Sequence, residues 1–169
     1  MTARPFSPED LLRVLEKHRV EYVMIGGLAA VLRGSPLRTS DMDICPKRSP
    51  ENLARLARAV QEVGARVRAE DAEDGGPFAC DAAFLAGVDL LNLVTKFGDL
   101  DISYQPAGTA GFDDLARKAE QFDLDGVVAP VAALEDIIRS KQAANRAKDL
   151  AALPTLRTLL DEARRKQEG

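Results

Sequence analysis

Tryptophan is absent from this 169-residue chain, aromatic residues make up only 5%, histidine occurs once and cysteine twice. Each scarcity closes a route. So few rings do not build an aromatic platform for stacking bases. The single histidine, His18, has no cysteine or serine arranged beside it as a nucleophile pair. Near a predicted helix C-terminus it reads instead as a surface cation. Cys45 and Cys80 lack the paired spacing of a zinc site and give no disulfide framework. Cys45 ends an apolar run and reads as a small core residue. A basic excess is also missing: 23 Lys and Arg stand against 27 Asp and Glu, a net charge of −4. That argues against a strongly electrostatic nucleic-acid binder, while leaving room for a local basic patch. No apolar run approaches the roughly 20 residues of a membrane helix, so no membrane partner is expected. The opening MTARPFSPED lacks the apolar core of a secretory signal, and a cytoplasmic location is expected.

What is there suits one globular domain. Apolar content is 46% and charged content 30%, and the length supports a sizeable core. The expectation is a single domain over 1–169, with an α/β core at about 8–130 and C-terminal helices at about 131–166. Ser7-Pro8-Glu9-Asp10 and Ser49-Pro50-Glu51 each read as a helix start: a capping hydroxyl, a proline at the first turn, then acids at the positive end of the dipole. Leu53, Leu56, Ala57, Val60 and Val63 recur at helical spacing, and Gly64 ends that helix. Residues 66–78 read as an acidic, solvated connection, with a substrate-facing loop that attracts a cationic acceptor as the alternative. Leu90–Thr95 and Leu100–Tyr104 read as strands about a turn at 97–99, Asp113–Gln121 as a helix, and 126–129 as a short edge strand. From Val131 the pattern turns helical, with a final amphipathic helix over Pro154–Arg165.

The organising stretch is Glu21 to Cys45. An apolar run of β-formers ends at Ile25, Gly26-Gly27 opens a helix that stops at Gly34, and a second strand carries Asp41 and Asp43. Strand side chains alternate, so these two carboxylates share a face while Met42 and Ile44 point into a core. Paired carboxylates repel. Either one is protonated or a cation sits between them, and hard oxygen ligands favour Mg²⁺ or Mn²⁺ completed by substrate phosphates. Backbone amides of the glycine turn offer an anion cradle opposite.

The order GG, helix, Gly34, Arg38-Thr39, Asp41-x-Asp43 resembles the nucleotidyltransferase fold of the DNA polymerase β superfamily, and within it the small bacterial branch of AbiEii-like and minimal nucleotidyltransferases. Gly27 stands where many relatives carry serine, so phosphate binding would rest on the main chain. The resemblance covers most of the chain, strongly over 22–44 and moderately over 90–153. It implies an α/β fold with a small mixed sheet flanked by helices and a helical C-terminal segment. It also implies transfer of a nucleoside monophosphate from an NTP to a hydroxyl, with pyrophosphate released. Gly26, Gly27, Arg38 and Thr39 would hold the nucleotide, and Asp41 and Asp43 the metal. A third carboxylate from a later strand completes such sites. Asp101, a charge between Leu100 and Ile102, matches it as ligand or proton acceptor, ahead of Asp99 in the turn and Asp89 before the strand. In AbiEii-like proteins a lysine on one C-terminal helix and an aspartate after a basic loop belong to the site. Lys141 and Asp149 match those positions. The acceptor is left open between tRNA, with an antitoxin partner, and a small molecule such as an aminoglycoside or lincosamide. A binding module without chemistry is the competing class.

Overall fold

The computed structural model describes residues 5–169; the part of the leader expectation that rests on residues 1–4 lies outside them. Eight strands form one mixed sheet between two groups of helices. In chain order the elements are α1 (Pro8–Lys17), β1 (Tyr22–Ile25), α2 (Gly26–Leu32), β2 (Asp41–Pro46), α3 (Pro50–Glu62), β3 (Arg66–Ala69), β4 (Ala72–Gly76), α4 (Ala82–Ala86), β5 (Leu90–Thr95), β6 (Gly98–Ser103), α5 (Phe112–Ala116), β7 (Glu120–Leu124), β8 (Val127–Val131), α6 (Leu134–Ala144) and α7 (Ala147–Glu168). The strand order is β4-β3-β5-β6-β2-β1-β8-β7. β2 runs parallel to β6 and antiparallel to β1, while β1 meets β8 in parallel.

The core follows the alternation read from sequence. Met42, Ile44, Leu100 and Ile102, on the two central strands, are at most 1% exposed. Leu11, Leu12 and Leu15 of α1 and Leu53, Leu56 and Val60 of α3 supply buried helix faces. Ser49 caps α3 by accepting from the Asn52 N–H at 3.3 Å. Ser7 does not cap α1 in that way: its hydroxyl donates to Glu9 and Asp10 instead. His18 ends α1, where its ring meets Glu62 at 3.0 Å.

Asn52 ties the end of β2 to the start of β1. It is fully buried, donates to the carbonyls of Glu21 and Lys47 at 2.8 and 2.7 Å, and accepts from the Glu21 N–H at 2.7 Å. Removing it deprives the Glu21 N–H and the Lys47 carbonyl of their Asn52 partner. Asn52→Ala is therefore expected to cost about 2–4 kcal/mol of stability, read as a lower denaturation midpoint in urea.

Five expectations are corrected. Residues 66–78 are not an open loop: β3 and β4 form a hairpin at one edge of the sheet, and β3 pairs with β5. The acids of the turn masked a short alternation, Arg66-Val67-Arg68-Ala69, whose apolar members are the less exposed ones. The helix expected over 113–121 ends at Ala116, and Glu120–Leu124 becomes the edge strand β7. β8 then lies inside the sheet, between β7 and β1, because Val127, Ala129 and Val131 give it a buried face. The C-terminal helices break at Asn145, in the left-handed region at φ 56°, and not at Pro154. Proline removes one N–H and leaves α7 otherwise continuous through it. Finally, the β5–β6 turn is at 96–97, so Asp99 belongs to β6. Among the described residues no helix is long and apolar enough to cross a membrane.

Candidate active site

Strand pairing brings the acids together. In the parallel β2–β6 pair, Asp41 is opposite Asp99 and Asp43 opposite Asp101. All four therefore rise from one face of the sheet. One carboxylate oxygen from each of Asp41, Asp43 and Asp101 lies within 4.8 Å of the others. Asp99 shares the face but stands outside this cluster, held by Arg68 at 3.3 Å. Asp89 is elsewhere, exposed and paired with Arg48.

Burial and mutual repulsion mark the cluster. Asp43 is pushed up to about 7, first by burial and then by the charges of Asp41 and Asp101, with Lys148 and Lys141 opposing. Asp101 is pushed up to about 6 by burial, against the Arg68 guanidinium, with Asp41 adding to the rise. Such a set, hard oxygens at close range and costly to leave unneutralised, fits a magnesium- or manganese-type ion by its donor chemistry. Thr39 fixes one member. Its hydroxyl donates to Asp41 Oδ1 at 3.0 Å.

The glycine turn abuts the same acids. Ile25 pairs with Asp43, and α2 starts at the next residue. Gly26 has φ +74°, and a Cβ there would stand 2.3 Å from Asp43 Oδ2. Only glycine combines that backbone with that approach. A Cβ on Gly27 would press on the Thr39 hydroxyl at 3.1 Å. Helix α2 is seven residues long, so what the turn offers is bare main chain more than a helix dipole.

From the other side come α6 and α7. Asp149, 1% exposed, takes the Arg146 Nε–H at 2.7 Å and the Arg146 backbone N–H at 3.2 Å, and faces Lys141 Nζ at 3.7 Å. Burial raises its pKa, but the Arg146 bonds outweigh that and hold the carboxyl below its usual value. Asp149 is thus an ionised anchor that also caps α7.

A single cleft of about 720 Å³ joins these parts. Gly26, Gly27, Arg38, Thr39, Asp41, Asp43, Asp101, Lys141 and Asp149 all line it. Sequence reasoning missed other lining residues: Arg68 on β3, Asn92 on β5 opposite Asp101, Ser103 on β6 and the buried Asp136 at the start of α6. The period-two pattern around Arg68 was the available signal, obscured by the acidic turn beside it.

Comparison with known proteins gives the class of fold. No family model and no curated protein matches this chain. Among solved structures, TM1012 of Thermotoga maritima, provisionally assigned as a nucleotidyltransferase, is similar over 93% of this chain and 96% of its own, with 21% identity and a TM-score of 0.53. The lincosamide antibiotic adenylyltransferase LnuA, solved with lincomycin bound, is similar over 92% of this chain and 99% of its own, with 15% identity and a TM-score of 0.59. ANT(2'')-Ia, solved with adenylyl-2''-tobramycin, is similar over 90% and 87%, with 18% identity and a TM-score of 0.56. The protein has the nucleotidyltransferase fold.

Proposed function

We propose that this protein is a metal-dependent nucleotidyltransferase. The acceptor hydroxyl oxygen attacks the α-phosphorus of an NTP. An O–P bond forms, the bond to the β-phosphate oxygen breaks, pyrophosphate leaves, and the hydroxyl proton passes to a carboxylate. The meeting of Asp41, Asp43 and Asp101 opposite the Gly26–Gly27 turn, inside one cleft, carries this reading. Mg²⁺ or Mn²⁺ held by these three acids would supply charge neutralisation on the transferring phosphoryl group.

The chain's own residues supply the rest. Gly26 and Gly27 let the triphosphate approach main-chain N–H groups, with Arg38 and Thr39 at the lip. Lys141, fixed by Asp149, is a point charge for the phosphates. Asp101 would serve as metal ligand or take the proton from the attacking hydroxyl. Positioning and electrostatics account for most of the rate.

Two acceptor classes have support. An AbiEii-like toxin acting on tRNA, with an antitoxin partner, is supported by Lys141 and Asp149 lining the cleft as that resemblance implies. A small-molecule acceptor is supported by the cleft volume, which lies in the range of ligand pockets, and by the folds that bind lincomycin and adenylyl-tobramycin. The test is incubation with each α-labelled NTP, Mg²⁺ and either total RNA or a small-molecule extract. Label is expected in one fraction, with pyrophosphate released in equal amount. Tight nucleotide binding with no pyrophosphate release would instead identify a binding module.

A further inference from the structure

Arg68 reaches the acids from the side away from the helical lysine. Its strand lies two places from β6, across β5, whereas Lys141 and Asp149 come from the α6–α7 side. One guanidinium nitrogen lies 2.9 Å from Asp101 Oδ1 and 3.3 Å from Asp99 Oδ2. Arg68 is 35% exposed, Asp99 36% and Asp101 15%, so solvent screens this contact only in part.

An arginine cannot give up its charge at any working pH. Any divalent ion that uses Asp101 shares that carboxylate with a fixed cation a few ångströms away. In a half-buried pocket such like-charge proximity weakens binding considerably. Asp99 makes the competition persistent. It has no place in the three-acid cluster, yet it anchors the same nitrogen and keeps Arg68 beside Asp101. Magnesium ordinarily binds through one or two carboxylates plus substrate phosphates. A triphosphate brings both negative charge and oxygens, and so offsets what Arg68 takes away.

We propose that Arg68 is a positioning residue that keeps the Asp41–Asp43–Asp101 cluster a weak site for a free divalent ion, so that the ion is held tightly only together with the nucleotide. The proposal rests on the metal-dependent reading above. It assigns Arg68 a role in the order of binding: the metal–nucleotide complex is the species taken up, and the cluster is not loaded beforehand.

The experiment is a Mn²⁺ titration followed by electron paramagnetic resonance. It uses the full chain, with and without an NTP analogue bearing a methylene bridge between the α- and β-phosphorus. The chains compared are wild type, Arg68→Gln, Arg68→Lys, and Arg68→Gln combined with Asp43→Asn. Arg68→Gln is expected to bind Mn²⁺ alone at least about tenfold tighter than wild type. The gain in Mn²⁺ affinity on adding the analogue should shrink by a similar factor. Arg68→Lys should restore wild-type values, because it returns the charge. Unchanged or weaker Mn²⁺ binding in Arg68→Gln overturns the proposal. The double variant separates two failures. If Mn²⁺ binding persists without Asp43, the cluster reading falls and Arg68 falls with it. If binding needs Asp43 but ignores Arg68, only the role of Arg68 is lost.

Discussion

If the proposed function holds, Asp43→Asn is expected to lower nucleotidyl transfer by at least about a thousandfold and, in the absence of divalent metal, to raise the melting temperature at pH 8. Both effects have one cause. Asp43 is wedged between Asp41, Asp101 and the Gly26 main chain, where a negative charge is costly to the fold and, in the proposed function, serves a bound cation. Removing one such electrostatic contact from a transition state costs about 10²–10³ in rate, and a lost metal ligand sits at or beyond the upper end.

The stability effect has a definite sign. The carboxyl is pushed up to about 7 from an ordinary 3.8. The folded protein therefore holds a proton that the unfolded chain has released between those values. The stabilising contribution is complete below about pH 4 and is lost as pH rises through about 7. Asparagine cannot ionise and escapes that loss, a gain of about 1–3 kcal/mol at pH 8. Thermal melts from pH 4.5 to 8.5 check it. Wild type should lose stability up the series more steeply than the variant. The variant keeps a weaker slope from Asp101, which is pushed up to about 6. Mg²⁺ added together with a non-hydrolysable NTP analogue should stabilise wild type at pH 8 more than it stabilises the variant. Unaltered turnover in a folded Asp43→Asn protein would refute the assignment.

Gly26→Ala is the second large effect. A single methyl is added at φ +74°, with its carbon 2.3 Å from Asp43 Oδ2. The backbone strain alone costs about 1 kcal/mol, and the collision adds to it unless Asp43 moves. Movement of Asp43 breaks the three-acid cluster. The expected result is a stability loss of about 1–3 kcal/mol and a fall in kcat of at least about a hundredfold. Gly64→Ala is the control: it has φ +61° but nothing within 4 Å of the added carbon. It should show a similar strain cost and full activity. Equal kcat values for the two variants would mean that the contact between the turn and Asp43 carries no catalytic weight.

These consequences come from residues that the linear pattern already singled out. Gly26-Gly27, Asp41 and Asp43 were legible because a strand's two-residue alternation and a glycine break are local properties. Asp101 was legible as a charge between two apolar strand residues. Asp99 was misplaced because the turn boundary was set two residues late, which left it outside the strand that begins at Gly98. Residues 66–78 were misread for another reason. Their composition is that of a solvated loop, and only pairing with β5 makes a strand of Arg66–Ala69. Glu120–Leu124 likewise has little apolar alternation of its own and becomes a strand by lying against β8.

The available chemistry was written locally: paired acids beside a bare glycine turn, an isolated later acid, and a basic C-terminal segment. So were the buried faces of β2, β6 and α3, because apolar periodicity is written residue by residue. Tertiary structure alone decided which of these groups meet. The parallel register of β2 and β6 put Asp101 opposite Asp43. The break at Asn145 turned Asp149 toward Lys141. Placing β3 beside β5 brought Arg68 onto Asp101. Register and docking are set by the summed burial of distant segments, and no local window contains that sum.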